Sequence, residues 1–201
     1  MVDIRPIEAA EFSYAVTVTS RAFWPDPLFG FFARSALHEH QLMPVFIAAT
    51  MRDCRRHGEI DVAVRDGRVV GSASWLGPDL LPQSTARQLR LGAACAGALV
   101  RGRNRVTGMR LLDLTQRQHP HEPHRYLALL GVDPSAQGSG IGRALLEPRL
   151  QQADTEGLPV FLETQKRENL SFYARFGFVV RAQLQVRDSP TVWHLWREPR
   201  G

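Results

Sequence analysis

The segment 131–150, GVDPSAQGSGIGRALLEPRL, constrains the fold of this chain more than any other. It follows a strand-like run, RYLALLGV, contains Gly138, Gly140 and Gly142, and continues as a helical pattern to about Glu156. The first N–H groups of a helix have no intrahelical partners, and the helix dipole favours negative charge beside them. The sequence therefore predicts an anion-binding corner between a strand and a helix, where glycines let a phosphate approach the backbone closely.

Strand and helix patterns alternate on both sides of this corner, with a hairpin pattern on either side. The Asp-Gly pair at 66–67, between two alternating apolar runs, is a strong hairpin signal. This order indicates an α/β (α+β) fold in which helices cover a mixed sheet. The predicted strands lie near 2–7, 59–76 (two strands), 125–132, 159–164, 178–186 and 191–197, and the predicted helices near 9–23, 35–57, on both sides of Gly102, 138–156 and 169–177.

Composition narrows the class of protein. At 201 residues, with 44% hydrophobic and 22% charged residues, the chain is expected to form one domain, 1–201. It has no run of 18 apolar residues, and the N-terminus MVDIRPIEAAEF is charged, so we expect a cytoplasmic protein without membrane contacts. The net charge of +5 comes from scattered arginines rather than the basic block of a nucleic-acid-binding surface, so no nucleic-acid partner is predicted.

Two common phosphate loops do not fit the glycine corner. A dinucleotide loop, G-x-G-x-x-G counted from Gly138, would need glycine at Arg143, and no Gly-Lys-Ser/Thr ending marks a nucleotide-triphosphate loop. The pattern that fits is Gln/Arg-x-x-Gly-x-Gly/Ala, read at Gln137, Gly140 and Gly142. It resembles the acetyl-coenzyme A (acetyl-CoA) pyrophosphate loop of the GNAT N-acetyltransferase superfamily.

A second motif of the same superfamily follows about thirty residues downstream. The pattern Asn-x-x-Phe/Tyr-Tyr-x-x-x-Gly-Phe matches Asn169, Phe172, Tyr173, Gly177 and Phe178. The strand end LLGVDP resembles the superfamily's apolar-x-Val-x-Pro strand. Over its C-terminal half the chain is similar to the puromycin N-acetyltransferase branch, including the Leu-Glu-Thr strand end in PVFLET.

The resemblance implies a GNAT-like fold with a mixed, mostly antiparallel sheet of about seven strands flanked by helices. It implies an acceptor-side half, 1–124, and a half that binds acetyl-CoA, 125–201. The strand before the glycine corner resembles the one that pairs with the pantetheine arm. The residues implied in cofactor binding are Leu130, Val132, Gln137, Gly138, Ser139, Gly140, Ile141, Gly142, Arg143 and Asn169.

Tyr173 and Glu163 are the predicted catalytic residues. The resemblance turns Tyr173 toward the cofactor sulfur, where a phenol can protonate a departing thiolate. The alternative for Tyr173 is an aromatic packed in the core, the role that we expect for Phe172. Glu163 is a carboxylate on an apolar strand, so it needs a partner or a function. It either deprotonates the acceptor amine through a water or hydrogen-bonds a neighbouring loop.

The segment FWPDPLFGFF is predicted to contact the acceptor through Trp24 and Asp26. Asp26 would attract a cationic amine, and the alternative is a solvated turn residue. His119, His121 and His124 have metal-like spacing, but their proline-rich setting favours an ordinary loop, from which one of them is a further candidate for the base. Because no C-x-x-C pair is present either, no metal site is predicted.

The predicted function is transfer of acetyl from acetyl-CoA to the primary amine of a small molecule, directly within a ternary complex. No cysteine lies near the motifs to form an acyl-enzyme. Two alternatives stay open: a non-catalytic acyl-CoA sensor or partner-binding protein, and an N-acetyltransferase acting on proteins or peptides. A homodimer would follow if the aromatic strand TVWHLW pairs across two chains rather than within its own sheet.

Overall fold

The computed structural model describes residues 2–80 and 85–200, within which the chain forms seven strands. They are β1 (Asp3–Pro6), β2 (Gly58–Arg65), β3 (Arg68–Leu76), β4 (Arg125–Val132), β5 (Val160–Thr164), β6 (Val179–Leu184) and β7 (Val192–Arg197). Their order in the sheet is β1-β2-β3-β4-β5-β7-β6. Every neighbouring pair is antiparallel except β4 with β5, which is parallel. The predicted mixed, mostly antiparallel sheet is confirmed.

The same residues form seven α-helices. They are α1 (Phe12–Ala22), α2 (Pro27–Phe32), α3 (Ala36–His57), α4 (Thr85–Val100), α5 (Arg105–Arg117), α6 (Ile141–Thr155) and α7 (Glu168–Ala174). The helices predicted from the sequence are confirmed with shifts of a few residues at their ends, whereas α2 lies in a segment where no helix was predicted. Helix α6 begins at Ile141, not at 138, because Gly140 is its N-cap and has a left-handed φ of 83°.

Two buried clusters lie on opposite faces of the sheet. Side chains alternate along a strand, so Val62 and Ala63 on β2 belong to different clusters. The first cluster contains Leu145 and Leu146 of α6, and the second contains Ile47 of α3 together with side chains of α1 and α2. The glycine corner therefore lies on the α6 face, while α1, α2 and α3 cover the other face.

A bulge interrupts β4 in the middle of the sheet. Against β3, Ser74 pairs with Leu129 and Trp75 pairs with Leu127, so Ala128 has no partner in register. The extra residue changes the side-chain alternation: Leu127 packs in the α6-side cluster, whereas Leu129 packs in the cluster on the other face. Bulges of this kind reorient a strand, and they are common beside active sites.

Strand β7 lies inside the sheet. It pairs antiparallel with β5 on one side and with β6 on the other. Strand pairing of TVWHLW across a dimer is therefore wrong, because both edges of that strand are already used within the chain. Among the described residues, no helix is long and apolar enough to cross a membrane.

A buried ion pair joins α3 to α4. Arg87 donates from Nε and Nη2 to the two carboxylate oxygens of Asp53, at 3.2 and 2.5 Å, and from Nη1 to the carbonyl of Leu80 at 2.7 Å. Asp53 is 8% exposed and Arg87 is 7% exposed. Removing one partner leaves the other charge buried and unpaired, which costs much more than losing an exposed pair.

We expect Arg87→Ala to lower the free energy of unfolding by about 3–5 kcal/mol, measured by urea denaturation. The matched control is Arg117→Ala, which breaks the exposed pair with Asp113 on α5. The control substitution should lower the free energy of unfolding by less than about 1 kcal/mol. Equal denaturation midpoints for the two variants would contradict a stabilising role for the buried pair.

Candidate active site

The site begins where β4 and β5 separate. These parallel strands pair only over Arg125–Leu127 and Val160–Leu162, and beyond that point β4 pairs with β3 alone. A cavity of about 1110 Å³ occupies the gap and continues along both sides of the sheet. Leu130 and Val132 line it, so the free edge of β4 faces this space. Strands β4 and β5 therefore separate as expected where a strand admits an extended ligand.

The glycine corner forms one end of the cavity. Gly138 and Gly140 have φ values of 76° and 83°, and a Cβ added to either would meet no atom within 4 Å. These glycines are therefore required by backbone conformation and not by crowding. A Cβ on Gly142, in contrast, would lie 3.3 Å from Cζ of Phe172, so this glycine lets α6 pack closely against α7.

Hydrogen bonds shape the approach to α6. Asp133 accepts from the backbone N–H of Ser135 at 3.0 Å and from its hydroxyl at 2.6 Å. The Nε2 of Gln137 donates to the carbonyl of Val132 at 3.1 Å, tying the loop back to the end of β4. Arg143 is exposed and pairs with Glu147 one turn further along α6. The free backbone amides at the start of α6 therefore lie close in sequence to the long cationic side chain of Arg143.

Most of the residues predicted from the sequence come together around this cavity. Two do not line it. The Ser139 hydroxyl donates to the carbonyl of Ala136 at 2.5 Å. Trp24 stacks on His40 with ring centroids 4.0 Å apart and lines a separate cavity against Pro134. Those that line the main cavity are Asp26, Leu130, Val132, Gln137, Gly138, Gly140, Ile141, Gly142, Arg143, Glu163, Asn169 and Tyr173.

Tyr173 lies on α7 where the cavity passes the end of β4. It is 7% exposed, and its ring makes edge contacts with Phe172 and Phe178 at centroid distances of 5.1 and 5.7 Å. Burial raises the pKa of Tyr173 well above its usual range, so the phenol holds its proton at any pH near neutrality. Phe172, expected in the core, is only partly buried and lines the cavity, so Tyr173 is the more buried of the two.

Asn169 links α7 to β5. Its Nδ2 donates to the hydroxyl of Thr164 at 3.0 Å, and the same hydroxyl accepts from the backbone N–H of Lys166 at 3.3 Å. Thr164 is the last residue of β5 and follows Glu163 directly. The Asn169 side chain therefore fixes the position of α7, and with it Tyr173, relative to the strand that carries Glu163.

Glu163 is partly buried and faces two histidines. Its Oε1 lies 3.8 Å from Nδ1 of His119 and 3.6 Å from Nε2 of His194. His194 is directly opposite Glu163 in the β5–β7 register. Neither distance is a hydrogen bond in this structure, but both place an imidazole nitrogen against the carboxylate.

The segment that contains His119, His121 and His124 is an ordinary loop, as expected, but part of it is buried. His119 and His124 are 7% and 1% exposed, and their Nε2 atoms are 3.2 Å apart. His121 alone of the three is exposed. His194 was missed by sequence reasoning; the signal that locates it is the pairing of the two C-terminal strand patterns. Among the described residues, no three His, Cys, Asp or Glu side chains are placed to hold a metal ion.

Asp26 lines the same cavity as the glycine corner. It is 5% exposed and accepts from the backbone N–H of Leu28 at 2.9 Å, as the N-cap of α2. Burial raises the pKa of the Asp26 carboxyl, and the hydrogen bond from Leu28 and the charge of Lys166 oppose this rise. The alternative of a solvated turn residue is wrong, because the carboxylate is a buried helix cap.

Together these features form a cavity suited to an anionic, extended ligand, with an opened strand beside a helix N-terminus. The sequence model of the acetyltransferase (GNAT) family matches residues 20–178, and the chain belongs to this family. It is an acetyl-CoA-dependent N-acetyltransferase.

Individual relatives agree with this assignment. An uncharacterised N-acetyltransferase of Schizosaccharomyces pombe is 25% identical over 196 residues, covering 92% of this chain and 78% of the relative. A crystal structure from Corynebacterium glutamicum, described as histone acetyltransferase HPA2 and related acetyltransferase, superimposes with a TM-score of 0.73 at 25% identity, covering 100% of this chain and 97% of that one. The polyamine N-acetyltransferase of Drosophila melanogaster shares the fold, with a TM-score of 0.59 at 15% identity and coverage of 98% and 100%.

Proposed function

We propose that this enzyme transfers acetyl from acetyl-CoA to the primary amine of a small molecule, by direct attack within a ternary complex. The observation that carries the proposal is one continuous cavity that is lined both by the glycine corner and by Asp26 and Glu163. Both halves of the chain, 1–124 and 125–201, line it, which supports one domain with an acceptor-side half and a cofactor half.

The corner fits the diphosphate of acetyl-CoA. Open space at Gly138 and Gly140 leaves the backbone amides before and within the first turn of α6 accessible to phosphate oxygens. Gln137, Ile141, Gly142 and Arg143 line the same end of the cavity. Leu130, Val132 and Asn169 line the cavity and would hold the pantetheine arm of acetyl-CoA, whose thioester would supply the acetyl group.

The acceptor end of the cavity suits an amine with an apolar body. Its wall contains Leu28, Phe29 and Leu112, while its carboxylates are Asp26 and Glu163. A cationic amine gains from a buried carboxylate, and the apolar wall favours a hydrocarbon or aromatic substituent. Trp24 lies in another cavity, so we leave it out of the proposed acceptor site.

Positioning of the amine against the thioester supplies most of the rate in this proposal. The backbone N–H of Val132 stabilises the developing oxyanion, Tyr173 protonates the thiolate and Glu163 accepts a proton from the amine. A covalent acyl-enzyme on Cys54 is disfavoured, because Cys54 is buried and burial raises the pKa of its thiol to about 12. The side chain of Cys95 lies outside the described part of the chain.

The test is release of CoA thiol from acetyl-CoA in the presence of a panel of primary amines that includes phenethylamine, agmatine and an N-terminal alanine peptide. Thiol release with phenethylamine or agmatine supports the proposal. Release with the peptide alone would favour a protein or peptide acceptor. Acetyl-CoA binding by calorimetry without thiol release from any amine would favour a non-catalytic sensor. The resemblance to the puromycin branch stays a prediction, which adding puromycin to the panel tests.

Asp26→Asn isolates the charge of the acceptor site, because an asparagine oxygen can still accept from the N–H of Leu28 and cap α2. We expect the KM for a cationic amine to rise about tenfold, with the KM for acetyl-CoA unchanged. Steady-state kinetics at saturating acetyl-CoA measures the effect. An unaltered amine KM would show that Asp26 serves α2 alone.

A further inference from the structure

A cluster of three side chains from separate segments lies beside the cavity, which one of them, Glu163, lines. Glu163 comes from β5, His194 from β7, and His119 from the connection between α5 and β4. The same carboxylate oxygen of Glu163 lies 3.8 Å from Nδ1 of His119 and 3.6 Å from Nε2 of His194. Both histidines are buried, whereas Glu163 lines the cavity. One oxygen therefore lies between two imidazole nitrogens at the point where the amine is proposed to bind.

Hydrogen bonds behind the cluster determine the tautomer of His119. Nδ1 of His124 lies 2.6 Å from the carbonyl oxygen of Glu122, which can only accept, so Nδ1 of His124 carries a hydrogen. In neutral His124 the Nε2 atom is then an acceptor, and His119 must donate to it from Nε2 across 3.2 Å. The remaining nitrogen of neutral His119, Nδ1, consequently presents a lone pair to Glu163.

His194 faces the same carboxylate. Its Nε2 lies 3.6 Å from Oε1 of Glu163 and has no hydrogen-bond partner. In the neutral tautomer that carries its hydrogen on Nδ1, Nε2 presents a lone pair to Glu163. In that tautomer two lone pairs and one carboxylate face each other with no hydrogen among them, and a single added proton turns this repulsion into a hydrogen bond.

We propose that Glu163, His119 and His194 form one proton-accepting unit, which takes the proton from the ammonium group of the acceptor. This inference rests on the proposed function and adds His119 and His194 to its general base, Glu163. Glu163 is the member that lines the cavity and meets the amine; His119 and His194 are positioning residues that raise the proton affinity of the unit by sharing its proton. The gaps of 3.6 and 3.8 Å leave room for a small movement of the Glu163 side chain to close either hydrogen bond.

The proton balance of the reaction agrees with a one-proton unit. An ammonium N–H bond breaks and its proton passes to Glu163. The freed amine lone pair forms the N–C bond to the acetyl carbon, and the C–S bond breaks with its electron pair on sulfur. The thiolate gains the second nitrogen proton by way of Tyr173, and the unit returns its proton to solvent. One ammonium and one thioester thus give one amide, one thiol and one proton.

The surroundings of the unit disfavour a positive charge on His194. Burial lowers the pKa of His194, and the charge of Glu163 only partly opposes this. Tyr126 of β4 faces Glu163 and stays protonated, because burial raises its pKa well above the usual value. Behind the unit, burial lowers the pKa of His124, and the positive charge of Arg181 on β6 acts in the same direction. These neighbours favour a neutral His194 ring, whose Nε2 can share a proton that Glu163 receives.

The first test needs no substrate and follows the ring signals of His119 and His194 by NMR across pH. Single variants His119→Asn and His194→Asn assign the signals. We expect the two rings to titrate with one shared midpoint in the wild-type protein, and Glu163→Gln to move both midpoints at least about one pH unit lower. Separate midpoints that Glu163→Gln leaves in place would overturn the shared unit.

The second test asks whether the unit acts on the ammonium proton. The probes are phenethylamine and its β,β-difluoro analogue, whose electron-withdrawing fluorines make it largely neutral at pH 8. His194→Asn removes the ring nitrogen that faces Glu163. We expect its kcat/KM to fall about 10²-fold for phenethylamine and no more than about tenfold for the difluoro analogue.

Two controls separate the possible failures. Melting temperature and acetyl-CoA affinity establish that each variant is folded, and His119→Asn repeats the test should His194→Asn be unstable. Equal losses with both amines would overturn the proton role and indicate a structural one. Absence of thiol release by the wild-type enzyme with every amine of the panel would contradict the proposed function instead, and the NMR titration would then decide the proton unit by itself.

Discussion

Replacing Tyr173 with phenylalanine is expected to lower turnover by about 10²–10⁴-fold while acetyl-CoA affinity stays close to that of the wild type. The substitution removes the proton donor alone. Its ring contacts with Phe172 and Phe178 stay in place, and Asn169 still holds α7 against β5. The rate of CoA thiol release at saturating amine measures turnover, and calorimetry measures the affinity for acetyl-CoA.

The pH dependence provides a second measurement on the same residue. Burial raises the pKa of Tyr173, so the phenol keeps its proton above the pH at which an exposed tyrosine ionises. An acid with a raised pKa is fully available below that pKa and is lost only above it. Wild-type turnover should therefore not fall on the alkaline side until the pH exceeds about 10, the usual value for tyrosine.

Tyr14→Phe is the matched control, because it makes the same deletion on the exposed face of α1, where Tyr14 is 67% exposed. It should leave turnover and affinity unchanged. Wild-type turnover in Tyr173→Phe would remove Tyr173 from the mechanism and leave it as a packed aromatic. A loss of acetyl-CoA affinity equal to the loss of turnover would indicate instead that the hydroxyl holds the cofactor.

Local patterns made much of this site predictable. The glycine corner depends on backbone conformation within a few residues, and Gly138 and Gly140 have the positive φ that only glycine adopts freely. The motif at Asn169 and Tyr173 likewise spans a single short helix. The hairpin at Asp66 was equally local. Where the physical cause lies inside one turn or one helix, the sequence contains all of it.

Features that depend on how segments distant in sequence pair or pack could not be predicted in the same way. The bulge at Ala128 exists only because β3 and β4 pair on either side of it, and no residue type marks it. His194 became relevant through its register opposite Glu163, and His119 through the path of a loop that packs on both. For Asp26 the sequence left a solvated turn residue open as the alternative to an acceptor contact, and only the structure shows that α2 buries it as an N-cap. Sequence separation hides such contacts until the sheet order is known.

Gly140→Asp is expected to weaken acetyl-CoA binding beyond detection by calorimetry, a loss of more than about 10²-fold. Two effects act together at this position. A side chain at φ 83° strains the backbone that presents the amides of α6, and a carboxylate at the helix N-terminus occupies and repels the site of the diphosphate. Gly140→Ala applies the strain without the charge and should cause an intermediate loss.

Gly157→Asp is the control that separates local strain from the phosphate role. Gly157 follows α6 with a φ of 65°, and a Cβ there would also meet no atom within 4 Å, but it does not line the cavity. Both aspartate variants should therefore destabilise the fold by a similar amount, about 1–2 kcal/mol. Only Gly140→Asp should lose acetyl-CoA. Unchanged affinity in a folded Gly140→Asp protein would place the diphosphate elsewhere and remove the basis for assigning this corner to the cofactor.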